Sequence, residues 1–427
     1  MKIDLITLGC SKNLVDSERL LRQLEAVGYD VEHDSENPNG EIAIINTCGF
    51  IGDAKEESIN TILQFAQRKT KGQLKQLYVM GCLSERYLQD LRQEIGEVDK
   101  FYGKFDYMNL LNDLGKTYRS DLAIERKLTT PSHYAYVKIS EGCNRFCSYC
   151  AIPLITGRHT SRPIEEITAE VQWLVGQGVR EFQIIAQDLS SYGLDLYKSQ
   201  RLAELIERIS DIKGVDWIRL HYAYPAQFPN DILRVMRERD NVCNYLDIAL
   251  QHISDNMLKL MRRHITKQET IDLINNIRSE VPNICLRTTM MVGHPGETLD
   301  DFEQLKEFVK ATRFERLGTF AYSDEEGTYS NRHYKDDIPL EEKLRRVDEI
   351  MSIQEGIAQS INERMIGNRY KVIIDRKEGD YYIGRTEYDS PEVDQDVLVS
   401  TNQILQTGEF YNVEITGVEQ FDIFGKL

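Results

Sequence analysis

Hydrophobic and polar positions divide the chain into three blocks with different periodicities. From Met1 to about residue 125, short apolar runs alternate with segments of helical spacing. Lys2–Leu8, Glu41–Asn46 and Gln76–Met80 read as strands. Asn13–Val27, Asp53–Arg68 and Ser84–Ile95 read as helices, the first stopped by Gly28 and the third by Gly96. This alternation predicts a parallel sheet with crossover helices. From about 130 to 366, six candidate strands follow: Tyr134–Ser140, Glu181–Gln187, Trp217–Tyr222, Tyr245–Leu250, Cys285–Gly293 and Arg316–Tyr322. Helical patterns such as Ile164–Val175, Gln268–Val281 and Leu299–Ala311 separate them, and a long polar helix, Leu340–Met365, closes the block. Six βα units suit a partial or full (βα) barrel. From Gly367 to Leu427 the pattern is all-β, with short strands at Tyr370–Asp375, Tyr381–Arg385, Asp396–Ser400 and Tyr411–Val418, and it suits a small five-stranded barrel. The expected organisation is therefore 1–125, 130–366 and 367–427, an α/β chain with an all-β tail.

Bulk composition adds two constraints. The 427 residues allow about two to four domains at ~100–200 residues each. The formal net charge of −17 disfavours contact with nucleic acid phosphates away from a local basic patch, and favours a basic partner. The opening Met1-Lys2-Ile3-Asp4 carries no pattern of a signal peptide, and no apolar run approaches the ~18 residues of a membrane span. A cytoplasmic protein without a membrane segment is expected. In that compartment thiols stay reduced, so the eight cysteines point to metal binding or catalysis rather than disulfides.

Three cysteines stand together in Cys143-Asn144-Arg145-Phe146-Cys147-Ser148-Tyr149-Cys150, a CxxxCxxC cluster directly after the first strand of the second block. Barrel active sites lie in loops at that end of the strands. Three thiolates can hold three irons of a 4Fe–4S cluster and leave the fourth iron open. The competing reading, structural zinc, normally uses paired CxxC or Cys/His and closes at four ligands. Three more cysteines, Cys10, Cys48 and Cys82, each follow a predicted strand of the first block, in Leu8-Gly9-Cys10, Asn46-Thr47-Cys48 and Met80-Gly81-Cys82. Loops at the C-terminal edge of one parallel sheet can converge on one ligand, so these form a second three-thiolate candidate; unrelated core thiols are the alternative. Cys243 and Cys285 read as packing residues.

With both cysteine sets in place, the sequence resembles the methylthiotransferase family of radical S-adenosylmethionine (SAM) enzymes, along its whole length and in the same domain order. The resemblance is closest to the branch that modifies ribosomal protein S-12. It is carried by Leu8-Gly9-Cys10-Ser11-Lys12-Asn13-Leu14-Val15-Asp16-Ser17-Glu18, Asn46-Thr47-Cys48-Gly49-Phe50-Ile51, Arg219-Leu220-His221-Tyr222, Leu246 to His252, Arg287-Thr288-Thr289 and Gly296-Glu297-Thr298. It implies an N-terminal cluster domain, a radical SAM partial barrel and a C-terminal TRAM barrel. It further implies two 4Fe–4S clusters, one on Cys143, Cys147 and Cys150 and an auxiliary one on Cys10, Cys48 and Cys82. SAM cleaved at the first cluster would generate a radical at an aspartate β-carbon of S-12, and the second would supply the sulfur for methylthio transfer. The implied SAM-contacting residues are Tyr149, Gln187, Gln251, Arg287 and Gly293. For Asp188 a plain N-cap is an equal alternative, and the implied partners are S-12 or the small ribosomal subunit and an electron donor such as flavodoxin or ferredoxin. The sister branch, which methylthiolates an adenosine in tRNA, is the alternative. The last block separates the two: with six basic and twelve acidic residues it is net −6, a poor surface for direct nucleic acid binding. Its run Glu387, Asp389, Glu392, Asp394 and Asp396 reads as an exposed connection that could dock a basic protein.

Overall fold

The computed structural model describes residues 1–419 and 422–427. The first sheet is parallel and has the order β2-β1-β3-β4-β5, with β1 Lys2–Thr7, β2 Asp30–His33, β3 Ile42–Thr47, β4 Gln76–Gly81 and β5 Lys100–Phe101. Its centre is β3, Ile-Ala-Ile-Ile-Asn-Thr, buried at all six positions as a parallel strand covered on both faces must be. Two edge strands escape the sequence reading because β2 has only four residues, mostly polar, and β5 only two. The helix expected over Ser84–Ile95 is two helices, Cys82–Arg86 and Leu88–Glu94. The break is at Tyr87, whose ψ of 30° leaves the helical region.

Past the crossover, β6 Tyr134–Lys138 is followed by β7 Ser140–Glu141, which pairs antiparallel with β8 Thr160–Ser161 across the intervening cysteine loop. Then come β9 Glu181–Ile185, β10 Trp217–Ala223, β11 Val242–Gln251, β12 Cys285–Val292 and β13 Arg316–Ala321. The six long strands form one parallel sheet in the order β13-β12-β11-β10-β9-β6, an open barrel. One face is apolar: Ala135, Val137, Ile139, Phe182, Ile184, Ile218, Leu220, Leu246, Ile248, Leu286 and Met290 pack with the surrounding helices in one large core. The opposite face, set by the two-residue period of the strands, carries Tyr134, Tyr136, Lys138, Glu181, Gln183, Arg219, His221, Tyr245, Asp247 and Arg287. That face is polar, and the flanking parts of the chain cover it from both ends.

The C-terminal part is a closed barrel in the order β14-β15-β16-β18-β17, from β14 Arg369–Glu378, β15 Tyr381–Arg385, β16 Val397–Ser400, β17 Phe410–Glu419 and β18 Asp422–Lys426. It sits on the N-terminal edge of the six-stranded sheet. Arg385 reaches across to Glu181 (2.7 Å) and holds Asp375 (2.6 Å), while Arg219 pairs with the same Glu181 from inside the barrel. The acidic run does not form the exposed docking surface its composition suggests. Asp389 is buried against Arg316, and Asp394 accepts from the Tyr245 hydroxyl (2.8 Å) and faces the Arg287 guanidinium (3.4 Å). Glu392 accepts from the Tyr134 and Tyr136 hydroxyls (3.0 and 3.4 Å), and Asp396 pairs with Arg376 (3.0 Å). Half-buried Arg316 and Arg287, at the start of the strands, drew Asp389 and Asp394 inward, which a linear charge count does not reveal; Glu392 stays exposed, and the Arg376 partner of Asp396 lies at the surface. Cys243 and Cys285 pack with Trp217, Tyr245 and Ile373 in this junction, as expected of small apolar groups.

Removing Glu181 leaves two buried guanidiniums short of an anion. Glu181→Gln should therefore cost about 3–5 kcal/mol of unfolding free energy, read as a lower denaturant midpoint. The acid limb of stability is also set here. Burial raises the pKa of Glu170 and Asp375, but Arg162, Arg126 and Arg19 in the first case, and Arg385 and His133 in the second, bring each down to about 2. Groups held below their ordinary values of 4.5 and 3.8 contribute fully above those values and lose the contribution as pH falls toward 2. Denaturant midpoints should be level above about pH 5 and fall steeply below about pH 4.

Candidate active site

Two thiol clusters lie at the C-terminal edges of the two parallel sheets. In the first sheet, Cys10 is the N-cap of the helix Ser11–Ala26 and Cys82 opens the helix Cys82–Arg86. Two glycines allow the loops to close on each other. At Gly9, with φ of +94°, a Cβ would stand 2.7 Å from both Cβ and Sγ of Cys48; at Gly49 it would stand 2.7 Å from the backbone of Leu83. Asn13 ties the three loops together. Its amide donates to Leu8 O (3.0 Å) and Thr47 O (2.9 Å), and its carbonyl oxygen accepts from Cys82 Sγ (3.4 Å). Burial pushes the Cys82 thiol up to about 12, against the pull of the Lys104 ammonium, and Cys10 and Cys48 raise it further.

The second cluster is the loop after β7. Cys147 is buried, and Cys143 and Cys150 are half-buried. Burial pushes Cys143 up to about 12 and raises Cys150, with Cys147 and Cys143 adding to the effect at Cys150. The dominant neighbour is Arg263. Its Nη1 donates to Cys147 Sγ (3.2 Å) and to the Tyr149 hydroxyl (3.2 Å), and its Nη2 donates to Ala249 O. The ring of Tyr224 lies between this guanidinium (4.1 Å) and that of Arg145 (4.3 Å). Arg145 in turn pairs with Asp188 (2.7 Å), whose carboxylate also caps the turn at Ser190 (2.8 Å), the N-cap role open to it from sequence.

The two clusters are linked by buried charge. Asp16, from the helix that starts beyond Cys10, and Glu141, two residues before Cys143, share Lys138 and Lys104; the Lys104–Glu141 distance is 3.3 Å. Gln187 donates to the same Glu141 (3.0 Å). Farther round the rim, Glu325 takes Lys55 (2.8 Å) and Arg86 (2.9 Å) from the first sheet's helices. The remaining expected site residues are dispersed. Gln251 ends β11 with φ of +73°; Arg287 lies deeper, bound to Asp247 (3.3 Å) and Asp394; Gly293, with φ of +76°, abuts Lys343 of the long helix Leu340–Glu363. Arg263 and Lys104 carry no local sequence signal, since each becomes part of the site only through tertiary packing, whereas Arg145 lies within the CxxxCxxC segment itself.

Both donor sets fit iron–sulfur clusters chemically: each offers three thiols on neighbouring loops, buried or half-buried except for the exposed Cys10, whose ionisation a bound metal would drive. Among the described residues, no group of three or more His, Cys, Asp or Glu side chains is gathered tightly enough for a single metal ion.

Comparison with known proteins agrees with this arrangement. Residues 137–309 match the Radical SAM superfamily, 2–103 the family described as Uncharacterized protein family UPF0004, and 366–427 the TRAM domain. A Bacteroides thetaiotaomicron protein named ribosomal protein uS12 methylthiotransferase RimO is 68% identical over 427 residues, covering all of this chain and 98% of the relative. The chain belongs to the uS12 methylthiotransferase family. A Porphyromonas gingivalis member of the same name is 61% identical, covering 100% of this chain and 99% of its own. At the level of fold, this methylthiotransferase resembles the radical SAM methyltransferase TsrM of Kitasatospora setae, with a TM-score of 0.56 at 14% identity over 88% of this chain and 79% of that one. It also resembles the cobalamin-dependent SAM radical enzyme OxsB, with a TM-score of 0.54 at 12% identity over 82% and 56% of the two chains.

Asn13 is the residue whose loss should expose the dependence of the first thiol set on its loops. Asn13→Leu strands two buried carbonyls, at about 1–3 kcal/mol each. Iron analysis after anaerobic reconstitution should show iron lost from that set, with the Cys143 set retaining its own.

Proposed function

We infer that this enzyme methylthiolates ribosomal protein uS12 at an aspartate β-carbon, by radical SAM chemistry that uses two 4Fe–4S clusters. The observation that carries the reading is the facing of two three-thiol sets across one barrel mouth, joined by Asp16, Lys104, Lys138 and Glu141. In this reading Cys143, Cys147 and Cys150 hold the cluster at which SAM is bound and reduced, and Cys10, Cys48 and Cys82 hold the auxiliary cluster. When bound, these groups supply hydrogen abstraction and sulfur transfer; the protein's part is to orient them and exclude water.

The chain's own residues serve those ends. The Arg263 guanidinium donates to a cluster thiolate, which favours the more negative, reduced state. Tyr149, in the cysteine loop, Gln187, just beyond β9, and Gln251, at the end of β11, are the residues that would contact SAM, and the Lys104 and Lys138 pair fixes the first domain over the barrel. Arg287 and Gly293 are supported less directly, since their contacts are with Asp247, Asp394 and Lys343. We place the protein in the cytoplasm, where its substrate is made, with a flavodoxin- or ferredoxin-type donor supplying electrons; no helix among the described residues is long and apolar enough to cross a membrane. The net −6 of the TRAM barrel gives little support to an RNA substrate, and the full-length relatives carry the uS12 name.

Mass spectrometry of uS12 after incubation with the reconstituted enzyme, SAM, sulfide and reductant tests the assignment: a methylthio group on aspartate is expected, whereas modified tRNA with unmodified uS12 would refute it. Reconstituted protein should carry about eight irons. Replacing Cys143, Cys147 and Cys150 together by Ala should halve the iron and abolish SAM cleavage. The corresponding triple change at Cys10, Cys48 and Cys82 should halve the iron and leave reductive SAM cleavage intact.

A further inference from the structure

We propose that Lys12 is the residue that reads the carboxylate of the substrate aspartate, and so separates an aspartate from its neutral analogues. The proposal rests on the uS12 reading above. An aspartate side chain drawn into a water-poor cavity needs a cation, because an unpaired buried carboxylate is costly. Most basic side chains around the two thiol sets are already engaged. Arg145 holds Asp188, Arg263 holds Cys147 Sγ, Arg287 holds Asp247 and Asp394, Lys104 and Lys138 share Asp16 and Glu141, and Lys55 and Arg86 share Glu325. Lys12 differs. Among the described residues no carboxylate lies within 4.0 Å of its ammonium, which lies over the ring of Tyr222, 3.6 Å from the centroid.

Its position suits the task. Lys12 lies two residues beyond Cys10, in the first turn of the helix Ser11–Ala26, and is half-buried. It therefore projects from the sulfur-bearing side of the site toward the barrel. Tyr222 receives it at the C-terminal end of β10 and is itself in the left-handed region, with φ of +66°, a costly conformation for a bulky residue. The neighbouring strand ends in Gln251 with φ of +73°. Two residues in the left-handed region thus stand at adjacent strand ends, and the ring of one of them, Tyr222, lies beneath the Lys12 ammonium. Asp247 and His221 lie near enough to sense the Lys12 charge, but Asp247 is committed to Arg287, and His221, buried, is kept neutral and bonded to Gln183 (2.8 Å). A carboxylate arriving beside Tyr222 would complete the ion pair on the barrel side of the Cys10 loop.

The test is equilibrium binding of recombinant uS12 to the reconstituted enzyme, alongside a uS12 variant in which the modified aspartate is Asn. Wild-type enzyme should prefer the aspartate form by about 10- to 100-fold, the worth of a charge-assisted hydrogen bond. In Lys12→Met the preference should collapse to near unity, through weaker binding of the aspartate form. The ratio is taken within one protein sample, so any unfolded fraction lowers both values and leaves it unchanged. A wild-type ratio in Lys12→Met, or the same affinity for both forms in the wild type, would overturn the proposal. If wild-type enzyme left uS12 unmodified, the substrate assignment itself would fall.

Discussion

A sheet of six strands curls without closing, and its inner face must be filled by something other than its own side chains. Here that face is polar, and buried charge has to be neutralised in place. The neighbouring domains supply the neutralising groups. From below, Arg385 meets Glu181, Asp389 meets Arg316 and Asp394 meets Arg287. From above, Asp16 meets Lys138, and Lys104 meets Glu141. The three domains are therefore held by complementary ions within one barrel, together with apolar contacts such as Trp217, Cys243, Tyr245 and Cys285 against Ile373. Directional pairs of this kind fix orientation, which a reaction between two separately held groups requires.

The same economy shapes the thiol sets. Both use the loop edge of a parallel sheet, where backbone N–H groups of helix starts face the ligand. In the first set, small residues let three distant loops touch, and Asn13 spans them. In the second, three thiols come from one short loop, and the external support is a guanidinium brought from 116 residues away in sequence. Arg263 and Arg145 on either face of Tyr224 make that support a stack rather than a single contact.

How much of this could be read from the sequence depended on whether the signal was local. The CxxxCxxC spacing and the apolar runs of the long strands are local, and so is the recurrence of cysteine after a strand. The closed barrel followed from turn spacing, although β18 had not been marked as a strand. Features built by tertiary pairing were not legible. The acidic run after Arg385 looked like solvated surface because its partners, Arg316, Arg287 and the hydroxyls of Tyr134 and Tyr136, lie on strands far back in the chain. The short edge strands Asp30–His33 and Lys100–Phe101 fell below any periodicity. Arg263 and Lys104 gave no sign, since nothing beside them in sequence marks a buried partner.

Glu181 and Arg385 are separated by 204 residues. During synthesis the chain emerges from its N-terminus, so the strand bearing Glu181 is available long before the guanidinium that covers its outer side. Until that late segment emerges, the base of the barrel is an open set of mismatched charges, together with exposed Trp217 and Tyr245. A nascent chain cut short anywhere before Arg385 would keep that defect permanently. Such a fragment presents the kind of surface that chaperones bind and proteases degrade. The C-terminal barrel thus acts as a completion check on the polypeptide: only a chain translated through it can hide the foundation of its own catalytic domain.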